Sequence, residues 1–216
     1  MNKVYKNKKT KKTKQSIRRR IVLMVVLLPI ILITGMIFYI GHLYSENNQG
    51  SEQPLIPEEF IPIYKAAEQE FGVPWYLLAA HHRVETIFST MDPMLSPAGA
   101  EGPMQFMPCT FVGWSHPSCD GLGEGDIPEK DKVDPNIIKK YNGYGIDANG
   151  DGKADPWDVE DAIFSAANFL AHSGAAEGEF EKAIFTYNHS DQYVDDVLYY
   201  MNLYKEKYHT EDDIKP

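Results

Sequence analysis

The stretch ETIFSTMDPMLSPAGAEGPMQFMP, residues 85–108, organises the reading of this chain. Glu85 closes an apolar, helix-like run, and a Gly/Pro-rich turn and Met104-Gln105-Phe106-Met107 follow it. A Glu at a helix end is ordinarily a solvated surface residue. Here Leu77, Leu78, Val84 and Phe88 flank it, so its carboxyl is expected to lose water, to have a raised pKa and to keep its proton near neutral pH. A protonated carboxyl beside a groove with few other charges suits a general acid acting on a neutral polymer such as a glycan.

Outward from this stretch the pattern is helical. Phe60, Ile63, Ala67 and Phe71 recur at helix spacing, with Gly72 as a stop. Pro74 suits the first turn of the helix that ends near Glu85. A third helix is expected from Gly102 or Pro103 toward Trp114. Residues 115–154 are long, Gly-rich and charged, and a loop of that length in a domain is usually functional or held by something else. Asp155-Pro156 opens the next helix, closed by Gly174, and another lies in GEFEKAIFTYN (178–188). Ser190 is a good N-cap for the last, which puts Tyr193, Val197, Met201 and Tyr204 on one stripe. No series of alternating strands is evident, so the domain is expected to be mainly α.

The net charge of −10 hides a split. Residues 1–20 hold ten Lys/Arg and no acid; residues 45–216 hold eleven Lys/Arg against all 31 Asp/Glu, a net −20. An acidic surface repels phosphates, which argues against nucleic acid as a partner. Between these regions Ile21 to Ile40 carries no charge, long enough for one membrane-spanning helix. The expected layout is a basic cytoplasmic tail (1–20), a transmembrane anchor (21–44), a polar linker (45–57), a domain outside the cell membrane (58–207) and a polar tail (208–216). A cleaved signal peptide has the same polarity, but the apolar run is long for one and no clear A-x-A site follows.

Cys109 and Cys119 fall on the outer side, where a disulfide is permitted; two independent thiols are the other reading. A metal pair is disfavoured because no further cysteine completes a site. His81 and His82 are adjacent on a helix and face different ways, so joint ligation is poor and packing or surface roles are expected. Asp147, Asn149, Asp151, Asp155 and Asp158 place oxygens at positions 1, 3, 5, 9 and 12 of a loop. Gly152 stands at the sixth position and the Lys153 carbonyl at the seventh. This is close to an EF-hand calcium loop, with Asp158 in place of the bidentate Glu. The alternative is an Asp/Asn/Gly-rich turn without metal. No organic cofactor is expected.

Glu85-Thr86 followed by Ser96 to Pro108 resembles the active-site signature of lytic transglycosylases of the goose-lysozyme-like superfamily. In that signature a Glu-Ser-like dipeptide precedes S-x-x-G-A-x-G-x-M-Q-F-M-P. About a hundred residues on, Tyr187-Asn188-His189-Ser190-Asp191 and Tyr193-Val194 resemble the segment that ends the catalytic core. The loop before Trp157-Asp158-Val159-Glu160-Asp161-Ala162-Ile163 is similar to that of the membrane-bound type B enzymes. Thr86 in place of Ser and Thr186 in place of Ala are mild departures.

The resemblance implies a lysozyme-like fold and peptidoglycan as substrate. It implies that Glu85 works alone, first as acid at the MurNAc–GlcNAc β-1,4 bond and then as base toward the C6 hydroxyl, giving a 1,6-anhydro sugar. Asp92 and Glu101 are then bystanders. Ser96, Met104, Gln105, Tyr187 and Asn188 are implied to bind sugar, with Tyr187 near Glu85 or the N-acetyl group. For Met104 taken singly a core role is the better reading; for Ser96 and Gln105 a place in the sugar groove is favoured, the alternatives being turn chemistry and a solvated helix. Calcium is implied to be structural. The alternatives are a hydrolytic muramidase of the same fold, a non-catalytic wall-binding or assembly module, and a calcium sensor.

Overall fold

A computed structural model describes residue 36 and residues 56–212, with side chains to residue 208. The expected anchor and basic tail lie outside the described residues, apart from Met36; among the described residues no helix is long and apolar enough to cross a membrane. The unit that begins at Ile56 is mainly helical. In chain order it contains α1 (Ile61–Phe71), α2 (Trp75–Thr86), α3 (Pro108–Val112), α4 (Glu129–Lys132), α5 (Pro135–Tyr141), α6 (Val159–His172), α7 (Phe180–Asn188) and α8 (Asp191–Asp212). Two 3₁₀ turns, Glu58–Phe60 and Ala175–Glu177, complete the set. The only β pairing among the described residues is a pair of isolated bridges, Leu95 to Glu101 and Glu101 to Phe106.

The helix α2 is the axis of the fold because it is apolar nearly all round, the pattern of a central helix. Trp75, Leu77, Leu78, Ala79, Ala80, His81, His82 and Thr86 are all buried on it. Its main partner is α8, whose Tyr193, Val197, Met201 and Tyr204 form the expected buried stripe. The helix α6 supplies the other large apolar face, from Ala162 to Leu170, and packs on α1. A Leu→Ala change at Leu77 or Leu78 in such a core costs about 2–5 kcal/mol. Ile56 is also in the core, and its N–H is bonded to the Tyr208 hydroxyl at 3.2 Å.

The boundaries of α1 and α7 follow their sequence signals, with Gly72 left-handed after α1 at φ 72°. Two others differ. The third helix does not start at Gly102 or Pro103. Residues 102–107 form a folded turn, in which Gly102 has φ 75° and Gln105 φ 51°, and the helix begins only at Pro108. Left-handed residues end an α-helix rather than start one. A Cβ on Gly102 would also lie 1.8 Å from the Pro156 carbonyl oxygen, so glycine here allows two backbones to touch. The helix α6 starts at Val159 instead of Asp155-Pro156. The Asp158 side chain caps it, accepting the Glu160 and Asp161 N–H groups at 2.9 and 3.1 Å. The long 115–154 segment contains α4 and α5 and is tied back by Ala154 N–H to the Val133 carbonyl at 3.0 Å.

Candidate active site

Glu85 lies in the last turn of α2. The chain then makes a left-handed turn through three consecutive non-glycine residues, Ile87 (φ 53°), Phe88 (φ 58°) and Ser89 (φ 61°). Each costs roughly 1–2 kcal/mol, so the turn must be held by its surroundings. Phe88 is buried, worth about 2–3 kcal/mol. Ser89 N–H donates to Thr86 Oγ1 at 3.1 Å, and Thr86 Oγ1–H donates to the Pro103 carbonyl at 2.7 Å. His82 bridges the turn to α1, with Nε2 2.7 Å from Ser89 Oγ and Nδ1 2.7 Å from the Tyr64 hydroxyl. Both histidines of the pair are therefore packed inside. Burial holds the imidazoliums down to a pKa of about 3, so both rings are neutral.

Residue Glu85 keeps a partly exposed surface, yet its carboxyl is enclosed. Burial pushes its pKa up to about 7, against the lowering effect of a hydrogen bond from Tyr193. The Tyr193 O–H donates to Glu85 Oε1 at 2.5 Å. Behind it, His81 Nδ1 lies 2.9 Å from the same Tyr193 hydroxyl. The Tyr187 hydroxyl donates to the Met104 carbonyl at 2.7 Å, and its ring stacks nearly parallel on Tyr193 with centroids 6.4 Å apart. The Glu85 charge is close enough to add to burial in raising the Tyr187 pKa.

A cavity of about 320 Å³ opens on the other side of Tyr187, lined by Gln105, Phe106, Met107, Thr110, Trp114, Leu122, Phe169, Thr186, Tyr187 and His189. Glu85 does not line it; Tyr187 joins the two, with its ring in the cavity wall and against Tyr193. Trp114 and Leu122 are among the most exposed large apolar side chains described. They belong to a wall tied by the Cys109–Cys119 disulfide, with Cα atoms 5.6 Å apart, and by Cys109 N–H to the Gly123 carbonyl at 2.9 Å.

The residues singled out in sequence are thus distributed unevenly. Gln105 and Tyr187 reach the cavity, and Gln105 Nε2 donates to the Met94 and Gly102 carbonyls. Met104 is fully buried and contributes its carbonyl, not its side chain. Ser96 Oγ accepts the Ala100 N–H at 2.9 Å inside the turn. Asn188 is exposed at the end of α7. Glu101 is held by Lys132 at 2.7 Å and Asp92 is exposed. Tyr193, the direct partner of Glu85, is marked in sequence by the apolar stripe of α8 and by its place in the segment that resembles the end of the catalytic core, but neither signal pairs it with Glu85.

The acidic loop adopts an EF-hand-like backbone. Asp147 Oδ2 accepts the Gly152 N–H at 3.0 Å, Asn149 Oδ1 the Asp151 N–H and Asp151 Oδ1 the Lys153 N–H, both at 2.9 Å. Asp147 Oδ1 is buried with no hydrogen-bond partner, which fits an oxygen aimed at a cation. Asp158 is engaged as the cap of α6. The carboxyl that faces the loop from α6 is Asp161, which accepts N–H groups of Ala148, Asn149 and Asp155 at 2.8, 3.2 and 2.9 Å. Among the described residues no three His, Cys, Asp or Glu side chains gather closely enough to hold a metal by themselves. The expected EF-type set includes four aspartates, Asp147, Asp151, Asp155 and Asp158, and no three of them converge in this structure.

Residues 137–182 match a family model described as Transglycosylase SLT domain. This span runs from α5 through the acidic loop into α7; it includes the Trp157–Ile163 stretch and lies outside the motifs at 85–108 and 187–194. The L-Ala--D-Glu endopeptidase of Bacillus subtilis (strain 168) is 29% identical over 146 residues, which is 67% of this chain and 41% of that protein. The chain therefore spans about two fifths of the length of the curated relative it matches. No solved structure matches.

Proposed function

We propose that this chain is a peptidoglycan lytic transglycosylase, anchored through residues 21–40 with its catalytic domain on the outer face of the cell membrane. The observation that carries the reading is the enclosed Glu85 carboxyl, protonated near neutral pH and held by Tyr193. Protonated, Glu85 donates its proton to the glycosidic oxygen between MurNAc and GlcNAc as the C1–O bond breaks. The electron pair of that bond leaves with the oxygen. The carboxylate so formed is stabilised by the Tyr193 O–H and takes the proton from the C6 hydroxyl as that oxygen bonds to C1. The product is a 1,6-anhydro sugar, and no water is consumed. Glu101 is bound to Lys132, which supports a mechanism with one carboxyl.

The cavity wall of Gln105, Trp114 and Tyr187 has the mixture of apolar faces and a few polar groups that holds sugar rings. The match at 137–182 and the motif at 85–108 support the transglycosylase class, and the acidic loop supports the type B variety. The relative named an endopeptidase raises peptide cleavage as another reaction, which the products of wall digestion distinguish from glycan cleavage. A muramidase reading differs only in the second step, where water replaces the C6 hydroxyl.

The acidic loop is proposed to bind calcium through Asp147, Asn149, Asp151 and the Lys153 carbonyl, with Asp155, Asp158 and Asp161 around it. The ion would supply structural cross-linking of the 115–154 segment. Digestion of purified peptidoglycan by the full chain and by Glu85→Gln tests the assignment; unchanged lysis by Glu85→Gln would remove Glu85 from the mechanism.

A further inference from the structure

The hydrogen-bond chain behind Glu85 contains a residue that the reaction itself does not use. His81 is fully buried, lies four residues before Glu85 on α2, and contacts Tyr193 through Nδ1 at 2.9 Å. A phenol hydroxyl has one proton, and Tyr193 directs it to Glu85 Oε1. The contact with His81 must then run the other way, with Nδ1–H donating to the Tyr193 oxygen. The far side of the ring gives the same answer independently. His81 Nε2 is buried with no partner. An orphaned N–H there would be among the rarest features of a protein interior, whereas a bare acceptor is tolerated better.

We propose that His81 is a positioning residue: as the Nδ1–H tautomer it blocks Tyr193 from turning its proton inward, so that Tyr193 always donates to Glu85 Oε1 and the acid proton of Glu85 is confined to Oε2. With the opposite tautomer, Nδ1 would compete for the Tyr193 proton. The phenol oxygen could then accept from Glu85, and the acid proton would be spent inside the protein. The other aromatic ring against His81 is that of Tyr187, with centroids 4.9 Å apart, and the Tyr187 hydroxyl is committed to the Met104 carbonyl. The titratable groups facing Glu85 are the Tyr193 and Tyr187 phenols. A donor chain also strengthens each bond along it, so His81 lowers the proton affinity of Glu85 through Tyr193.

This inference deepens the proposed function and rests on Glu85 being the acid, but its test does not need turnover. In the full chain with labelled histidine and glutamate, nitrogen NMR reports the His81 tautomer and carbon NMR the Glu85 titration. The expected result is a neutral His81 protonated at Nδ1 throughout the Glu85 titration. His81→Leu, which removes the donor, should raise the Glu85 midpoint by roughly half a pH unit. His81→Asn places an amide N–H where Nδ1 stands and should restore the midpoint. A purely structural role would not distinguish these two variants in the titration. The Nε2–H tautomer, or a Glu85 midpoint equal in both variants, would overturn the proposal; if His81→Leu does not fold, the tautomer in the unaltered protein still decides. Peptidoglycan lysis by the unaltered protein reports separately on the proposed function. A protein that shows the expected tautomer and titration without lysis would refute that function and leave the relay standing.

Discussion

Glu85→Gln exchanges one oxygen for an NH₂ group and should separate activity from stability in opposite directions. In the folded chain burial raises the Glu85 pKa from 4.5 to about 7. A raised folded pKa means that the native state binds a proton more tightly than the unfolded chain. The resulting stabilisation is complete below the unfolded pKa and is lost as pH rises through the folded one. The shift corresponds to about 3 kcal/mol, lost between roughly pH 4.5 and pH 7. The glutamine of the variant cannot ionise, and its amide oxygen can still accept the Tyr193 O–H. The variant should therefore match the parent near pH 4 and exceed it by up to about 3 kcal/mol at pH 8, or roughly 6–12 °C in Tm for a chain of this size. Thermal unfolding of the two proteins across pH 4–9, followed by circular dichroism, reads this difference directly, while wall lysis by the variant should be abolished. A Tm difference that does not change with pH would refute the reasoning, because it would mean that the Glu85 carboxyl titrates alike in the folded and unfolded chains.

Tyr193→Phe removes the bond that lowers the Glu85 pKa, so the alkaline limb of the lysis profile should move to higher pH as activity falls; a limb in the same place would contradict the Tyr193–Glu85 contact. Thr86→Ser retains the hydroxyl that holds the Pro103 carbonyl and should stay within about 1 kcal/mol of the parent in urea unfolding, whereas Thr86→Ala should cost about 1–3 kcal/mol. Calcium at about a hundred times its Kd should raise stability by about 3 kcal/mol over chelated protein. Asp147→Ala should remove that response; equal Tm values with calcium and chelator would show that the acidic loop is a metal-free turn.

Much of the helical frame was legible because its signals are local. The stripe from Tyr193 to Tyr204, the stop at Gly72 and the helix ending at Glu85-Thr86 each follow from spacing or from one conformationally special residue. The turn at 102–107 was misread as helix because Met104, Phe106 and Met107 have the composition of a buried helix. Its left-handed residues answer to a distant contact, the approach of Pro156 to Gly102. The site was legible as far as Glu85 and its apolar neighbours. The pairing with Tyr193 was not: Tyr193 lies in the downstream segment that carries the resemblance, but it stands 108 residues away and its helix spacing assigns it only packing. Asp158 and Asp161 show the same limit. Both fall near the end of the acidic loop, and only the start of α6 shows that the first caps a helix while the second faces the loop.

The most direct test of the account is the mass of the products when the full chain digests purified peptidoglycan. The single-carboxyl mechanism predicts muropeptides ending in 1,6-anhydro-MurNAc, lighter by one water than their reducing counterparts and absent with Glu85→Gln. Reducing MurNAc ends would show that water enters at C1, and cleavage confined to the peptide stems would contradict the glycan-cleaving assignment altogether.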